Sequence, residues 1–268
     1  SHFLSRLFTK GFKADVSGQR MGQGLAERVV AGGYPAALVR ATARRRAAWY
    51  RDYIDTLVQR DVRDLARISA LDALPRLLAL TAGQTAHLLN VTDLSAPFQL
   101  SRPTIRDYMT LLARIFLLEE LPPWHSNRLS RLIKTPKVHL GDTGLACALL
   151  GLDAAALWAD RTLYGQLLET FVYQELRRQA SWHEEPFAFH HFRDKDGDEV
   201  DVVLESGGKL VGVEVKAAAT VSSTDFRGLR KLQGAVGTRF LAGVVLYDGD
   251  AVVPFGERLY AVPLSRLW

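Results

Sequence analysis

The stretch 199-EVDVVLESGGKLVGVEVK-216 contains two runs of alternating residues joined by Gly207-Gly208. Such alternation is typical of β-strands, and a two-glycine connection predicts a tight hairpin. The register that this turn favours pairs Val202 with Val213. Alternate residues of a strand point to opposite sides, so the pattern predicts one apolar face and one polar face. The apolar face would contain Val200, Val202, Leu204, Val211, Val213 and Val215.

The other face of the hairpin concentrates charge. The same register sets Asp201 directly opposite Glu214, and like charges at that spacing repel each other. Mg²⁺ or Mn²⁺ would offset the repulsion, because such ions bind a few carboxylates together with water. We predict a catalytic site in which Asp201, Glu214 and the helical Glu169 bind the metal and Lys216 stabilises charge. The alternative is a solvated face on which Glu214, Lys216 and Glu199 form surface ion pairs.

The middle of the chain predicts a helix-turn-helix. Apolar residues recur at helical spacing from Leu71 to Leu89, with Gly83 and Asn90 as candidate breaks. A short helix can begin at Val91, and Ser101 is a suitable N-cap for SRPTIRDYMTLLARI. FLLEELPPW would supply a wing strand that ends at the two prolines. We expect this winged helix to bind DNA. The candidate contacts are Arg102, Thr104 and Arg106 at the exposed helix start, with Arg128, Arg131, Lys134 and Lys137 downstream. The alternative is a three-helix bundle that contacts protein.

Charge is unevenly distributed along the 268 residues. Residues 1–150 carry 21 basic and 12 acidic side chains, whereas residues 151–268 carry 13 basic and 17 acidic ones. The basic half can attract polyanions. Its densest cluster, 44-RRR-46, opens a predicted amphipathic helix, in which Arg51 and Asp55 have the spacing of an ion pair.

Composition narrows the class of protein. Hydrophobic residues make up 48% and charged residues 24%, which fits a globular protein. No apolar run is long enough to span a bilayer, and the single Cys147 cannot form an intramolecular disulfide. We therefore expect a cytoplasmic protein without a membrane partner. The chain starts with Ser1-His2 instead of Met, so we also expect sequence upstream of it.

Two further acidic groups are predicted to be structural. Asp142, in LGDTGLACALLG, can cap the helix that follows it. Asp194, Asp196 and Asp198 resemble the start of a calcium loop, but the later glutamate spacing is wrong, and a hairpin turn accounts for them.

The predicted site residues lie in segments that resemble those of a known protein superfamily. LLETFVYQEL contains Glu169, DGDEVDVVLE contains Asp201, and VGVEVKA contains Glu214 and Lys216. Together they resemble the PD-(D/E)XK nuclease superfamily, whose core is a helix carrying Glu, a strand carrying Asp and a strand carrying Glu-X-Lys. The resemblance implies a restriction-endonuclease-like mixed sheet flanked by helices, and a metal-dependent DNA endonuclease.

The chain as a whole resembles the C-terminal two thirds of a family of predicted prokaryotic AAA+ ATPases. The resemblance rests on ordered segments, among them GGYPAAL, YIDTLVQRDVRDL, LSRPTIRDYMTLL, KTPKVHLGDTGLACALLG, HFRDKDGDEVDVVLE and VGVEVKAAATVSSTDFRGL. It implies an N-terminal ATP-binding domain that this chain lacks, since no G-x-x-x-x-G-K-[ST] occurs here. ATP would bind only that absent domain, which becomes an expected partner.

These observations predict a multidomain α/β protein. Residues 1–65 would form a basic helical region next to the ATPase, residues 66–125 a winged helix-turn-helix, and residues 126–268 the nuclease-like domain. The favoured hypothesis is metal-dependent hydrolysis of DNA. A second hypothesis is a non-catalytic module that binds DNA or protein and regulates the ATPase, and a third assigns this part of the chain to homo-oligomer contacts.

Overall fold

We describe a computed structural model of the chain, covering residues 3–9, 11–16, 18–58, 60, 72–124 and 134–268. The chain forms two compact units. The helical unit comprises residues 23–120 and 137–171, and the sheet unit is built from the described residues of 1–22, 121–136 and 172–268. The division into domains at residues 65 and 125 stays a prediction.

The helical unit consists of short helices and a small sheet. Its helices are α2 (Gln23–Ala31), α3 (Pro35–Leu38), α4 (Ala43–Leu57), α5 (Ala73–Ala82), α6 (Val91–Ser95), α7 (Arg102–Arg114), α8 (Thr143–Leu150) and α9 (Ala154–Ala159), followed by the first half of α10 (Arg161–Ala180). Its strands are β1 (His87–Leu88), β2 (Leu118–Leu121) and β3 (Lys137–Leu140), in the order β1-β3-β2.

Local capping explains where several of these helices begin. The Ser101 hydroxyl accepts a hydrogen bond from the Thr104 amide and caps α7, as predicted. The Asn90 side chain caps α6 in the same way. Helix α5 ends at Ala82 with Gly83 as its C-cap, which is one of the two predicted breaks. Leu88 instead lies in β1, where it pairs with Lys137 of β3.

The sheet unit contains α1 (Phe3–Thr9), the second half of α10 and a six-stranded sheet in the order β4-β5-β6-β7-β9-β8. The strands are β4 (Ala188–Arg193), β5 (Glu199–Ser206), β6 (Lys209–Lys216), β7 (Phe240–Tyr247), β8 (Val253–Gly256) and β9 (Leu259–Pro263). Parallel pairs β6–β7 and β7–β9 lie between antiparallel ones, so the predicted mixed sheet is confirmed.

The β5–β6 hairpin has the predicted register. Val202 pairs with Val213, and Ser206 pairs with Lys209. Gly207 and Gly208 have φ of 55° and 73°, the left-handed region that a type I′ hairpin turn requires at both central positions. The turn therefore sets the register of the hairpin, and with it which residues of β5 and β6 lie side by side at the end opposite the turn.

Helix α11 (Arg227–Val236) covers one face of this sheet. Its Leu229 and Leu232 are fully buried in a core cluster with Val203 and Val245. A side chain at Gly212 would collide with Leu229, whose nearest atom would lie 2.6 Å from an added Cβ. The absence of that side chain allows the helix to approach the strands closely.

Candidate functional site

A β-bulge interrupts the strand that carries Asp201. On either side of it, His190 pairs with Val203 and Phe192 pairs with Val200, so His191 of β4 faces two residues of β5, Asp201 and Val202. Bulges of this kind bend a strand and re-aim its side chains, and they are common beside active sites.

The bulge also corrects one prediction. Simple alternation placed Val200 on the same face as Val202, but Val200 belongs to the core cluster beneath α11, together with Val203. The prediction was wrong because the extra residue of the bulge shifts the alternation by one position.

The side chain of Asp201 forms a hydrogen bond with the neighbouring strand, β6. The Cα pairing of β5 with β6 ends at Val202–Val213, and beyond it the Asp201 Oδ2 accepts a hydrogen bond of 2.9 Å from the Val215 amide. Asp201 as a whole is 5% exposed. A backbone hydrogen bond therefore holds this buried acid in a defined orientation.

Glu214 and Lys216 lie at the same end of the hairpin. Glu214 is 7% exposed, and the Nζ of the half-buried Lys216 lies 3.4 Å from its Oε1. The same ammonium is 3.7 Å from Oδ1 of Asp225, which lies in the 3-10 turn Ser223–Phe226 that leads into α11. We call Asp201, Glu214, Lys216 and Asp225 the Lys216 cluster.

Acidic side chains outnumber basic ones within the Lys216 cluster. Burial by itself would lower the pKa of Lys216, but Glu214, Asp201 and Asp225 outweigh burial and raise the pKa above its ordinary value. Three carboxylates therefore act on one ammonium, which leaves a formal charge of about −2 when all four groups are ionised.

Asp225 was missed by the sequence analysis. The Ser222 amide donates a hydrogen bond of 2.8 Å to Asp225 Oδ2, as in a capping box. The run Ser222, Ser223 and Thr224 has the composition of a helix N-cap, and this signal could have pointed to the acid that follows it. Its second role, beside Lys216, depends on the packing of α11 against β6.

Glu169 lies in the helical unit, on the first half of α10. Its Oε1 is 2.7 Å from the Nζ of Lys137, and the Lys137 side chain is 3% exposed. The expectation that Lys137 contacts phosphate is wrong, because this buried ammonium is already paired with a carboxylate. The proposed role of Glu169 as a metal ligand stays a prediction.

The predicted DNA contacts fall into two groups. Arg102 and Arg106 are exposed near the start of α7, and half-buried Thr104 shares a hydrogen bond of 2.8 Å with the Ser101 hydroxyl. Arg128 and Arg131 lie outside the described residues.

Within the described residues, no three His, Cys, Asp or Glu side chains are grouped so that they could hold a metal ion. Asp194, Asp196 and Asp198 do come together, but the Lys231 ammonium lies between them, 2.6 Å from Asp194, 3.2 Å from Asp196 and 2.6 Å from Asp198. The predicted turn is confirmed by a hydrogen bond from the Asp194 amide to the Asp198 carbonyl.

A second buried acid, Asp142, connects two glycine-containing segments of the helical unit, GGYPAAL and LGDTGLACALLG. Asp142 caps α8 as predicted, with Oδ1 accepting from the Leu145 amide, and its Oδ2 accepts from the Gly33 amide at 2.6 Å. Burial and the adjacent Asp142 carboxylate raise the pKa of Tyr50, whose hydroxyl donates to the Ala31 carbonyl. This arrangement is structural, since backbone groups occupy both carboxylate oxygens.

None of the helices in the described ranges is long and apolar enough to cross a membrane. Two curated relatives, the uncharacterized proteins Rv2008c of Mycobacterium tuberculosis and Mb2031c of Mycobacterium bovis, are each 26% identical to the chain over 249 residues. These alignments cover 92% of the chain and 54% of each relative, so the chain spans about half the length of the curated relatives it matches. No solved structure matches the chain.

Two domain families match the sequence, one in each half. Residues 164–267, which contain the Lys216 cluster and Glu169, match the domain of unknown function DUF4143. Residues 22–156, which make up about half of the chain, match the domain of unknown function DUF8612. The chain therefore belongs to the DUF8612 family and carries a DUF4143 domain after it.

Proposed function

We propose that the chain hydrolyses phosphodiester bonds in DNA with the help of Mg²⁺ or Mn²⁺, at the Lys216 cluster. The observation that carries this proposal is the grouping of Asp201, Glu214 and Asp225 around Lys216, where Asp201 and Glu214 are almost completely buried. Carboxylates that are grouped and buried in this way provide oxygen ligands and a negative potential that favour a bound cation.

The donor set suits a small divalent cation. Mg²⁺ commonly binds one or two carboxylates and retains several waters, so Asp201 and Glu214 would suffice without a third protein ligand. The bound ion would supply a water of lowered pKa as nucleophile and a positive charge beside the phosphate. Glu169 would complete or support this shell in the proposed enzyme.

The residues of the chain itself would position the reacting groups. The Val215 amide fixes the Asp201 carboxylate, and Glu214 and Asp225 hold the Lys216 ammonium between them. The Lys216 side chain is 37% exposed, so a phosphate can reach it from solvent. An ammonium held in this way stabilises negative charge that develops on the phosphate.

The helical unit supplies the proposed DNA-binding surface. Its element order from α5 to β3, with the sheet order β1-β3-β2, is the order found in winged helices. Arg102 and Arg106 are one turn apart at the exposed start of α7, as side chains that enter a groove would be. We assign DNA contact to these arginines and to Thr104, and expect Arg128 and Arg131 to add phosphate contacts.

The experiment is a cleavage assay on plasmid and single-stranded DNA with Mg²⁺ or Mn²⁺. Asp201→Asn, Glu214→Gln and Lys216→Met should each abolish cleavage in a chain that remains folded. Lys209→Met is the matched control, since Lys209 is exposed at the opposite end of β6. Cleavage that survives substitution at Asp201 and Lys216 would exclude this site as the catalytic centre.

A second candidate is a non-catalytic module that binds DNA or protein. It is favoured by the ion pairs of Lys216 with Glu214 and Asp225, which partly neutralise the site without a metal. Calorimetric titration with Mn²⁺ separates the candidates, because only the nuclease needs metal uptake that Glu214→Gln removes. In either case we propose a cytoplasmic protein whose partners are DNA and the AAA+ ATPase domain of a longer chain, with homo-oligomer contacts as a further role.

A further inference from the structure

Three aromatic rings of the helical unit lie together where α3 meets α4. Trp49 and Tyr53 stack with 5.1 Å between ring centroids and 11° between ring planes. Tyr34 contacts both, at 5.9 Å from Trp49 and 5.3 Å from Tyr53. All three side chains are half-buried, so part of each ring remains in contact with solvent.

Arginines extend this aromatic group along α4. Arg45 precedes Trp49 by four residues, as Trp49 precedes Tyr53, so the three side chains follow one face of the helix. The guanidinium of Arg46 donates a hydrogen bond of 3.2 Å to the Arg40 carbonyl, which fixes the loop before the helix against its first turn. We call Tyr34, Arg40, Arg45, Arg46, Trp49 and Tyr53 the arginine–aromatic surface.

These arginines are not neutralised by neighbouring acids. Within the described part of the chain, no ion pair involves Arg40, Arg45 or the other exposed arginines of α4, and the predicted pair of Arg51 with Asp55 does not form. Residues 40–53 contain five arginines and one acid, Asp52. The surface therefore has a net positive charge that is available to an anion.

The position of the arginines is unfavourable for the isolated helix. α4 begins at Ala43, and its first turn contains three arginines and no acid. The positive end of the helix dipole lies at that terminus, so cations there destabilise the helix. A bound polyanion would remove this repulsion.

We propose that the arginine–aromatic surface binds single-stranded DNA. Aromatic rings stack on bases of any sequence, and interspersed arginines contact the backbone phosphates. Single strands are favoured over duplexes, because a duplex buries the base faces that would stack on Trp49 and Tyr53. The surface is formed by α3, α4 and the loop between them, and not by α7. The choice of DNA over RNA rests on the proposed function.

The test is fluorescence anisotropy of the 268-residue chain with a labelled oligothymidine of about 20 nucleotides, the length of one or two ordinary single-strand sites. EDTA is present throughout, so binding is scored without metal-dependent cleavage and independently of the nuclease proposal. The variants are Trp49→Leu, which removes the stacking ring, and the pair Arg40→Gln and Arg45→Gln, which leaves the aromatic packing intact. Arg114→Gln, an exposed arginine at the end of α7, is the control.

We expect Trp49→Leu to raise the Kd about tenfold. The double arginine variant should weaken binding and reduce the slope of log K against log salt by about 1.4, which corresponds to two lost phosphate contacts. Arg114→Gln should bind as the parent chain does. Unchanged binding in the double variant, an equal loss in the control, or tighter binding to duplex or to oligouridine would each overturn the proposal. Absence of oligonucleotide binding would also overturn it and leave a protein partner as the better assignment.

Discussion

Asp201 and Val215 are joined by a hydrogen bond of 2.9 Å from a backbone amide to a buried carboxylate, at the point where the pairing of β5 with β6 ends. The side chain of one strand thus continues the connection that the backbones no longer make. The same bond orients an acid of the Lys216 cluster. Stability and chemistry at this site therefore depend on one carboxylate, and they can be separated by substitution.

Asp201→Ala should destabilise the fold, and Asp201→Asn should do so much less. Alanine leaves the Val215 amide without its acceptor, which costs about 1–3 kcal/mol for a buried donor, whereas asparagine retains an oxygen in the same position. The free energy of unfolding in urea measures both effects. Equal stability of the alanine variant and the parent chain would show that the hydrogen bond contributes nothing.

Lys216 should make the folded chain lose stability as the pH becomes alkaline. Its pKa is raised in the folded chain, so its contribution is fully present below the ordinary value of 10.5 and is lost as the pH rises through the higher folded value. The melting temperature of the parent chain should therefore fall more steeply above about pH 10.5 than that of Lys216→Met. Lys209→Met should retain the steep fall. Parallel curves for the parent and Lys216→Met would contradict this assignment.

Lys137 and Glu169 should behave as a coupled buried pair. Lys137→Met leaves the Glu169 carboxylate without its ammonium and should cost about 3 kcal/mol. The double variant Lys137→Met, Glu169→Gln should be more stable than Lys137→Met alone, because no unpaired charge remains. A double-mutant cycle in urea measures the coupling, and additive effects would show that the pair is energetically independent. The stability of Glu169→Gln in urea must also be measured. A loss of cleavage in this variant can be attributed to metal binding only if the variant remains folded.

Replacement by alanine should change the stability of the fold in opposite directions at Gly24, within α2, and at Gly32, directly after it. Gly32 has φ of 71°, and an added Cβ would collide with the Asp142 carboxylate and the Tyr50 hydroxyl. Gly32→Ala should therefore cost more than about 2 kcal/mol, from backbone strain and disruption of that contact. Gly24 lies in α2 with open space around it, so Gly24→Ala should be neutral or stabilising by up to about 1 kcal/mol. Thermal unfolding of the two variants checks both signs, and similar melting temperatures would contradict the prediction.

The local features of the sequence predicted the local features of the structure. The two glycines determined the hairpin register, and Ser101 and Asp142 determined where α7 and α8 begin. The alternation of valines correctly predicted strands at this position. Each of these signals acts over only a few residues of chain.

The features that the sequence did not predict depend on distant partners. The bulge at Asp201 arises from the pairing of β5 with β4, and nothing in EVDVVLE itself distinguishes a bulged strand from a regular one. Strand β1 contains two residues and exists through its pairing with β3, about 50 residues away. Asp225 joins the candidate site because α11 packs on β6, and Lys137 is buried because β3 is central in its sheet.

The counter-ion of the turn from Asp194 to Asp198 is the Lys231 ammonium, a side chain of the same protein. Because Lys231 belongs to α11, its ammonium is held at a high effective concentration beside the three aspartates and does not have to be drawn from solution. A calcium loop loses its ligand when the surroundings are depleted of the ion. This turn leads directly into β5 and should keep its conformation in chelating buffers. The segment before Asp201 would therefore stay ordered even when the divalent cation needed for the proposed catalysis is absent.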